Sequence, residues 1–237
     1  MKKSGKTEHN SLQESAMATS SQGYFFPAEW EKHDFVFLAW PHDITSFPDT
    51  PKAERAYSEI ILALQETNSE KVKLFVTGKK MLEKAKKKIE YYGANPDDVD
   101  FFIQDYGDVW FRDYGPTFVL NRNSGKIAMV KWRFNAYGNQ YPELLKDDKI
   151  PEAINAYMKI PVFSPGIFFE GGAMEANGKG VILTTTLGIL NSNRNPGLDK
   201  ASAEKIFNEF LVAEKTIWLE NGIKGDDTDG HIDNLAR

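Results

Sequence analysis

The apolar positions of this chain follow two spacings in turn. Phe35, Val36, Phe37 and Leu38 form an unbroken apolar run, which predicts a strand buried on both faces. Beyond Pro41, apolar residues recur at Ala53, Tyr57, Ile60, Ile61 and Leu64. That is the spacing of one helix face, with Pro51 in the first turn and Asp49 or Thr50 as its cap. Val72, Leu74 and Val76 then alternate up to Gly78 and predict a strand over 71–78. Residues 79–93 read as a lysine-rich amphipathic helix stopped by Gly93, its lysines forming a solvated face in preference to a basic patch. A short strand follows over 99–105.

The stretch "TFVLNRNSGKIAMVKWRF" (117–134) has the form of a hairpin with "NRNSG" as its turn. A helix over 151–158, a strand-like 159–164, a strand over 180–186, a helix over 199–212 and a strand over 215–219 complete the pattern. No linker rich in Gly, Pro or Ser divides the chain, so residues 23–237 are expected to form one domain. Strands and helices alternate with hairpins between them. The expected fold class is α/β with more than one β-β-α-β unit. Residues 1–22 are polar and are expected to form a disordered tail. They lack the hydrophobic stretch of a secretory signal, so a cytoplasmic protein is expected. No apolar run approaches the roughly 20 residues of a membrane span.

Composition narrows the class of ligand. Among 237 residues 41% are hydrophobic and 27% charged, and the net charge is −5. That sign disfavours nucleic acid or anionic lipid as the main partner and suits a small cation. There is no cysteine, which leaves this chain without disulfides, thiolate metal sites or a thiol nucleophile of its own.

Four stretches hold concentrated polar chemistry. In "DYGDVWFRDYGPTF" (105–118), Asp105, Asp108 and Asp113 alternate with Trp110 and Phe111, and Arg112 adjoins Asp113. Acids beside large rings suit a flat cation, although pairing of Arg112 with these acids inside a turn would use the same residues. In "FFEGGAMEANG" (168–178), Glu170 follows an apolar run and precedes two glycines, so backbone can approach whatever the carboxylate binds. A bridge to a lysine at a loop mouth is the alternative. "LNSNRNPG" (190–197) reads as a capped turn. "DDTDGHIDN" (226–234) groups Asp226, Asp227, Asp229 and Asp233 around His231. It departs from the order of a calcium loop and lacks a third metal ligand at fixed spacing. A carboxylate-flanked catalytic base fits, as does a plain surface histidine. Taken together, acids and tryptophans without a metal pattern favour a planar cation such as a guanidinium, held bidentately.

"FPAEWEKHDFVFLAWP", "DVWFRDYGPTF", "FNAYGNQYP", "FEGGAMEANGKGVILTT", "NRNP" and "GDDTDGHIDNLAR" resemble, in that order, the agmatine deiminase family, grouped with the bacterial peptidyl-arginine deiminases. The resemblance runs from about residue 24 to residue 237. It implies a pentein fold, an α/β propeller of five β-β-α-β modules. It also implies hydrolysis of agmatine to N-carbamoylputrescine and ammonia through a covalent cysteine thiouronium adduct, with no metal or organic cofactor. The implied partner is a small cationic substrate, with self-association left open. Asp113 matches the acid that holds guanidinium nitrogens, and Glu170 matches a second carboxylate near the same group. His231 matches the general acid/base, and Asp233 matches the partner acid that also binds guanidinium. Trp40, Asp108 and Trp110 are expected to line the substrate channel. The family's cysteine lies near its C-terminus, so the nucleophile is expected beyond residue 237. The domain over 23–237 is accordingly expected to be a partial pentein, inactive and marginally stable by itself. A peptidyl-arginine deiminase and a non-catalytic polyamine- or guanidine-binding module are the alternative readings.

Overall fold

Residues 18–237 are described by the computed structural model of this protein, and within them three sheets form, each built around a parallel strand pair joined by a helix. In chain order the elements are β1 (Tyr24–Phe25), β2 (Phe35–Ala39), α1 (Thr50–Thr67), β3 (Lys71–Val76), α2 (Lys79–Tyr91), β4 (Val99–Ile103) and α3 (Phe111–Tyr114). The hairpin strands β5 (Thr117–Asn121) and β6 (Ile127–Val130) follow, then a tight turn α4 (Ala136–Asn139), helix α5 (Ile150–Met158) and β7 (Val162–Phe163). The last elements are β8 (Met174–Ala176), β9 (Val181–Thr185), α6 (Thr186–Leu190), α7 (Lys200–Leu211) and β10 (Lys215–Leu219).

Strands β2, β3 and β4 are all parallel, as their helical connections require. Strands β5 and β6 pair antiparallel while β6 and β7 run parallel across α5, and β8, β9 and β10 repeat that arrangement with α7 as the crossover. These last two sets are β-β-α-β units, so the α/β expectation is met. Helix α1 starts where expected, with the Asp49 side chain accepting from the Lys52 N–H at 3.3 Å and Pro51 in the first turn.

Two expectations need correction. Strand β2 is half-buried apart from Ala39 because it is the edge of its sheet; an apolar run does not reveal how many faces are covered. The doubly buried strand is β3, where even Lys73 is 6% exposed. Its ammonium pairs with Asp100 at 2.8 Å and lies 4.8 Å from the ring centres of Phe35 and Tyr157. Of the tail expected over 1–22, residues 1–17 lie outside the described residues. Residues 18–22 are structured: Ser20–Gln22 form a 3-10 turn, and the Thr19 hydroxyl, wholly buried, donates to the Phe210 carbonyl at 2.7 Å.

Apolar burial lies between the units as much as within them. Trp40, Ile61, Leu74 and Ile89 fill the space under α1 and α2. Phe75, Tyr106, Met129, Phe134 and Ile154 join the parallel sheet to the hairpin unit. Phe163, Phe169, Ile182 and Phe207 join the hairpin unit to the last one. Wedged units of this kind leave the segments beyond the carboxyl ends of β4, β6, β7, β9 and β10 free to converge, the usual place for a ligand site in α/β folds.

Candidate active site

Each of those five segments delivers a polar side chain to one cluster. Asp113 comes from α3, beyond β4. Its Oδ1 accepts from the Gly172 N–H at 3.0 Å and its Oδ2 from the Tyr137 hydroxyl at 2.7 Å. His231, on the segment beyond β10, is 1% exposed. Its Nδ1 lies 3.5 Å from Asp113 Oδ1 and its Nε2 3.9 Å from Glu170 Oε2. Neither distance is a hydrogen bond, and among the described residues the buried Nε2 has no hydrogen-bond partner. An imidazole set among acids at that spacing has room to exchange a proton.

Two glycines make the approach of these segments possible. A Cβ on Gly172 would fall 2.5 Å from Asp113 Oδ1, 2.6 Å from His231 Nδ1 and 2.7 Å from Asp233 Oδ2. The same atom on Gly171 would fall 2.0 Å from the Arg112 carbonyl oxygen. The "FEGG" segment is therefore confined to glycine by the close convergence of the acids and the imidazole.

Glu170 is also 1% exposed, and its two oxygens lie 2.9 and 3.0 Å from Nε of Arg194. Arg194, likewise 1% exposed, donates from Nη1 to Asp229 Oδ2 at 2.8 Å and from Nη2 to the Thr228 carbonyl at 2.9 Å. This overturns the reading of "NRNP" as only a capped turn. The arginine is the buried counter-charge that lets Glu170 stand inside the protein.

The aspartates of "DDTDGHIDN" have separate tasks. Asp226 shapes the loop: its carboxylate accepts from the backbone of Thr228 at 2.9 Å, Gly230 at 2.8 Å and His231 at 3.1 Å. Burial alone would raise its pKa, but these bonds outweigh it and hold the carboxyl below the ordinary range. Asp229 receives Arg194. Asp233 Oδ2 accepts from Arg112 Nε at 3.0 Å. Arg112 does not pair within its own stretch; its other nitrogens reach Glu29 at 3.2 Å and Glu175 at 2.5 Å.

Electrostatics set the two central groups apart from ordinary ones. Burial raises the Asp113 pKa and, with the charges of Glu170 and Asp233, outweighs the lowering by His231 and the Tyr137 hydroxyl. Burial would lower the His231 pKa, yet Glu170, Asp113 and Asp233 prevail and raise it. The cluster thus favours positive charge at its centre. Asp113, His231 and Asp233 could each present one metal-ligand atom, all within 4.8 Å of one another. Two of the oxygens are already occupied by N–H donors from Gly172 and Arg112, which fits recognition of a cation through hydrogen bonds better than a metal cage.

Tyr137 was not singled out by its sequence context. It lies in α4, where Ala136, Tyr137 and Asn139 all have positive φ, at 53°, 58° and 64°. Three non-glycine residues in the left-handed region carry strain, and strain of this kind concentrates at sites. The signal was present in the quoted "FNAYGNQYP" but without a role.

The three expected channel residues separate. Trp40 is 1% exposed in the core beneath α1, its Nε1 donating to buried Glu54 at 3.3 Å. It has no face to offer a ligand, so the channel expectation fails for it: an indole between helix and sheet is a packing residue. Asp108 is also 1% exposed and accepts from Ser46 at 2.5 Å, Trp110 Nε1 at 2.8 Å and the Val109 N–H at 2.8 Å. It braces the loop that leads to Asp113. Trp110 is 44% exposed, stacked on Phe47 at 6.1 Å, and remains able to face a ligand.

Comparison with known proteins places this geometry. The sequence model of the Porphyromonas-type peptidyl-arginine deiminase family matches residues 25–237. A Legionella pneumophila protein provisionally named agmatine deiminase is 34% identical over 223 residues, which cover 92% of this chain and 61% of that protein. A Pectobacterium atrosepticum protein of the same provisional name is 32% identical over 219 residues, covering 90% of this chain and 57% of its own length. Among solved structures, the agmatine deiminase of Enterococcus faecalis superposes with a TM-score of 0.81 at 27% identity, over 91% of this chain and 58% of that one. A serine-for-cysteine variant of the C. jejuni agmatine deiminase with substrate bound gives 0.76 at 30% identity, over 90% and 62%. The chain therefore spans about three fifths of the length of these relatives.

Proposed function

The chain belongs to the Porphyromonas-type peptidyl-arginine deiminase family, and we propose that its acid cluster binds the guanidinium of agmatine as part of a C–N hydrolase. The observation that carries this reading is the His231 imidazole buried among Asp113, Glu170 and Asp233. Asp113 and Asp233 take up guanidinium nitrogens, and Glu170, itself held by Arg194, keeps His231 oriented and charged. A cysteine thiolate attacks the guanidinium carbon and His231 gives a proton to the departing ammonia. The same imidazole then takes a proton from the water that resolves the thiouronium adduct, releasing N-carbamoylputrescine and the thiol. These 237 residues contain no cysteine, so the thiolate of this step is assigned to polypeptide outside them. No metal or organic cofactor enters the scheme.

The choice among guanidinium substrates rests on the local cations. A free arginine would need a positive group for its α-carboxylate. Arg194 is wholly buried between Glu170 and Asp229, and Arg112 is shared by Asp233, Glu29 and Glu175. Agmatine has no carboxylate and requires neither. The same holds for arginine within a peptide, which is the second reading and follows the printed name of the family. For the whole protein we propose the five-module propeller, of which residues 23–237 form part, and a cytoplasmic location. Among the described residues no helix is long and apolar enough to cross a membrane. The test is ammonia release by the protein carrying its cysteine. Turnover of agmatine but not of a blocked arginine peptide supports the reading; the reverse preference replaces it with the peptidyl one.

A further inference from the structure

We propose that Tyr137 is a positioning residue of the site, its hydroxyl fixing which lone pairs of Asp113 stay free for the guanidinium. This rests on the guanidinium reading above and deepens it. An ionised carboxylate offers about four lone-pair positions and rotates easily about its last bond. Here the two oxygens are held from different elements: the Gly172 N–H meets Oδ1 at 3.0 Å and the Tyr137 hydroxyl meets Oδ2 at 2.7 Å. With both oxygens tied, the carboxylate plane is set, and one lone pair on each oxygen remains for a planar fork of N–H groups.

The rest of the turn is built to hold that hydroxyl in place. Tyr137 has φ 58° and ψ 50°, left-handed for a residue with a bulky side chain. The Asn135 side chain accepts from the Gly138 N–H at 2.9 Å and donates to the Asn193 carbonyl at 3.0 Å. Gln140 Nε2 lies 2.9 Å from both the Tyr137 carbonyl and Asp229 Oδ2. The strained turn is thus braced against the segments that carry Arg194 and Asp229. The ring itself is 5% exposed and packs edge-on against Phe134 at 5.3 Å. Phenylalanine would fill that space equally well. A buried hydroxyl costs free energy unless it donates, and Asp113 is its acceptor.

Tyr137→Phe keeps the ring and removes the donor, and ¹³C labelling of aspartate carboxyl carbons, with Asp113→Asn to assign the signal, reads the result without any ligand. The groups facing Asp113 are His231, Glu170 and Asp233 in addition to Tyr137, and Arg112 adjoins it in sequence. Loss of a donor to the charged form should raise the Asp113 titration midpoint by about one unit, a tenfold gain in proton affinity, with the thermal midpoint within about 4 °C of the parent. An unmoved Asp113 midpoint overturns the proposal. Should Tyr137→Phe fail to fold, 3-fluorotyrosine at position 137 keeps the shape with a stronger donor; the Asp113 midpoint should then fall, and an unchanged one overturns the proposal equally. Agmatine titrated calorimetrically into parent and Tyr137→Phe should bind the variant about tenfold more weakly at neutral pH. Absence of binding to both forms counts against the guanidinium reading alone, because the carboxyl titration decides the role of the hydroxyl by itself.

Discussion

Glu170 and Arg194 form an ion pair with both partners 1% exposed, Nε lying 2.9 and 3.0 Å from the two carboxylate oxygens. A pair this deep contributes little net stability, but removing one member strands a charge. Arg194→Met should therefore destabilise the protein by about 3–5 kcal/mol in chemical denaturation. The double variant Arg194→Met with Glu170→Gln should recover part of that loss. Arg194→Lys should not restore the parent value, since an ammonium cannot reach Glu170, Asp229 and the Thr228 carbonyl together. Additive losses would mean that the two residues act separately.

The raised pKa of His231 makes a signed prediction. Burial opposes the imidazolium, but Glu170, Asp113 and Asp233 overcome it, and the folded value stands above the ordinary 6.5. Protonation then favours the folded state. That contribution is fully present below 6.5 and is lost as pH rises through the folded value. The stability gap between parent and His231→Gln should be widest below pH 6.5 and should narrow as pH rises above it. A guanidinium in the same acid ring competes with the imidazolium, so agmatine should lower the His231 pKa seen by NMR.

Gly172→Ala tests the crowding of the site. Its new methyl would lie within 2.7 Å of Asp113, His231 and Asp233 atoms. The three groups must part, at a cost of about 1–3 kcal/mol in stability, and agmatine binding should weaken at least about tenfold. Gly125→Ala, with open space around it and φ 66°, should leave agmatine binding unchanged in the same titration, whatever its backbone strain does to stability.

The two tryptophans expected to share a channel should behave differently. Trp40→Leu, in the core under α1, should lower stability by about 2–4 kcal/mol and leave agmatine affinity unchanged. Trp110→Ala, at a half-exposed ring on Phe47, should cost about 1 kcal/mol or less in stability while weakening agmatine binding. Equal effects of both substitutions on binding would reinstate Trp40 as a ligand contact.

Local chemistry was readable along the chain and long-range pairing was not. Pro51 and Asp49 announced α1, and "NRNSG" announced the hairpin, because caps and turns are decided within a few residues. Asp113, Glu170, His231 and Asp233 could be picked out as acids and an imidazole beside glycines and rings, and the fold brings them together. Arg194 looked like part of a turn since its partners Glu170 and Asp229 stand 24 and 35 positions away. Arg112 likewise passes over its neighbouring acids for Asp233, 121 positions on. Trp40 stood beside a proline at a strand end, which suits a channel wall as well as a core. Only the helix packed above it decided between them.

Calorimetric titration of agmatine into this chain, repeated with Asp113→Asn and with putrescine in place of agmatine, tests the central claim most directly. Binding needs no nucleophile, so the absence of cysteine does not interfere. The acid ring around His231 predicts one agmatine per chain, binding lost or weakened at least about tenfold in Asp113→Asn, and much weaker binding of putrescine, which lacks the guanidinium. Equal affinity for agmatine and putrescine, or agmatine binding indifferent to Asp113→Asn, would contradict it.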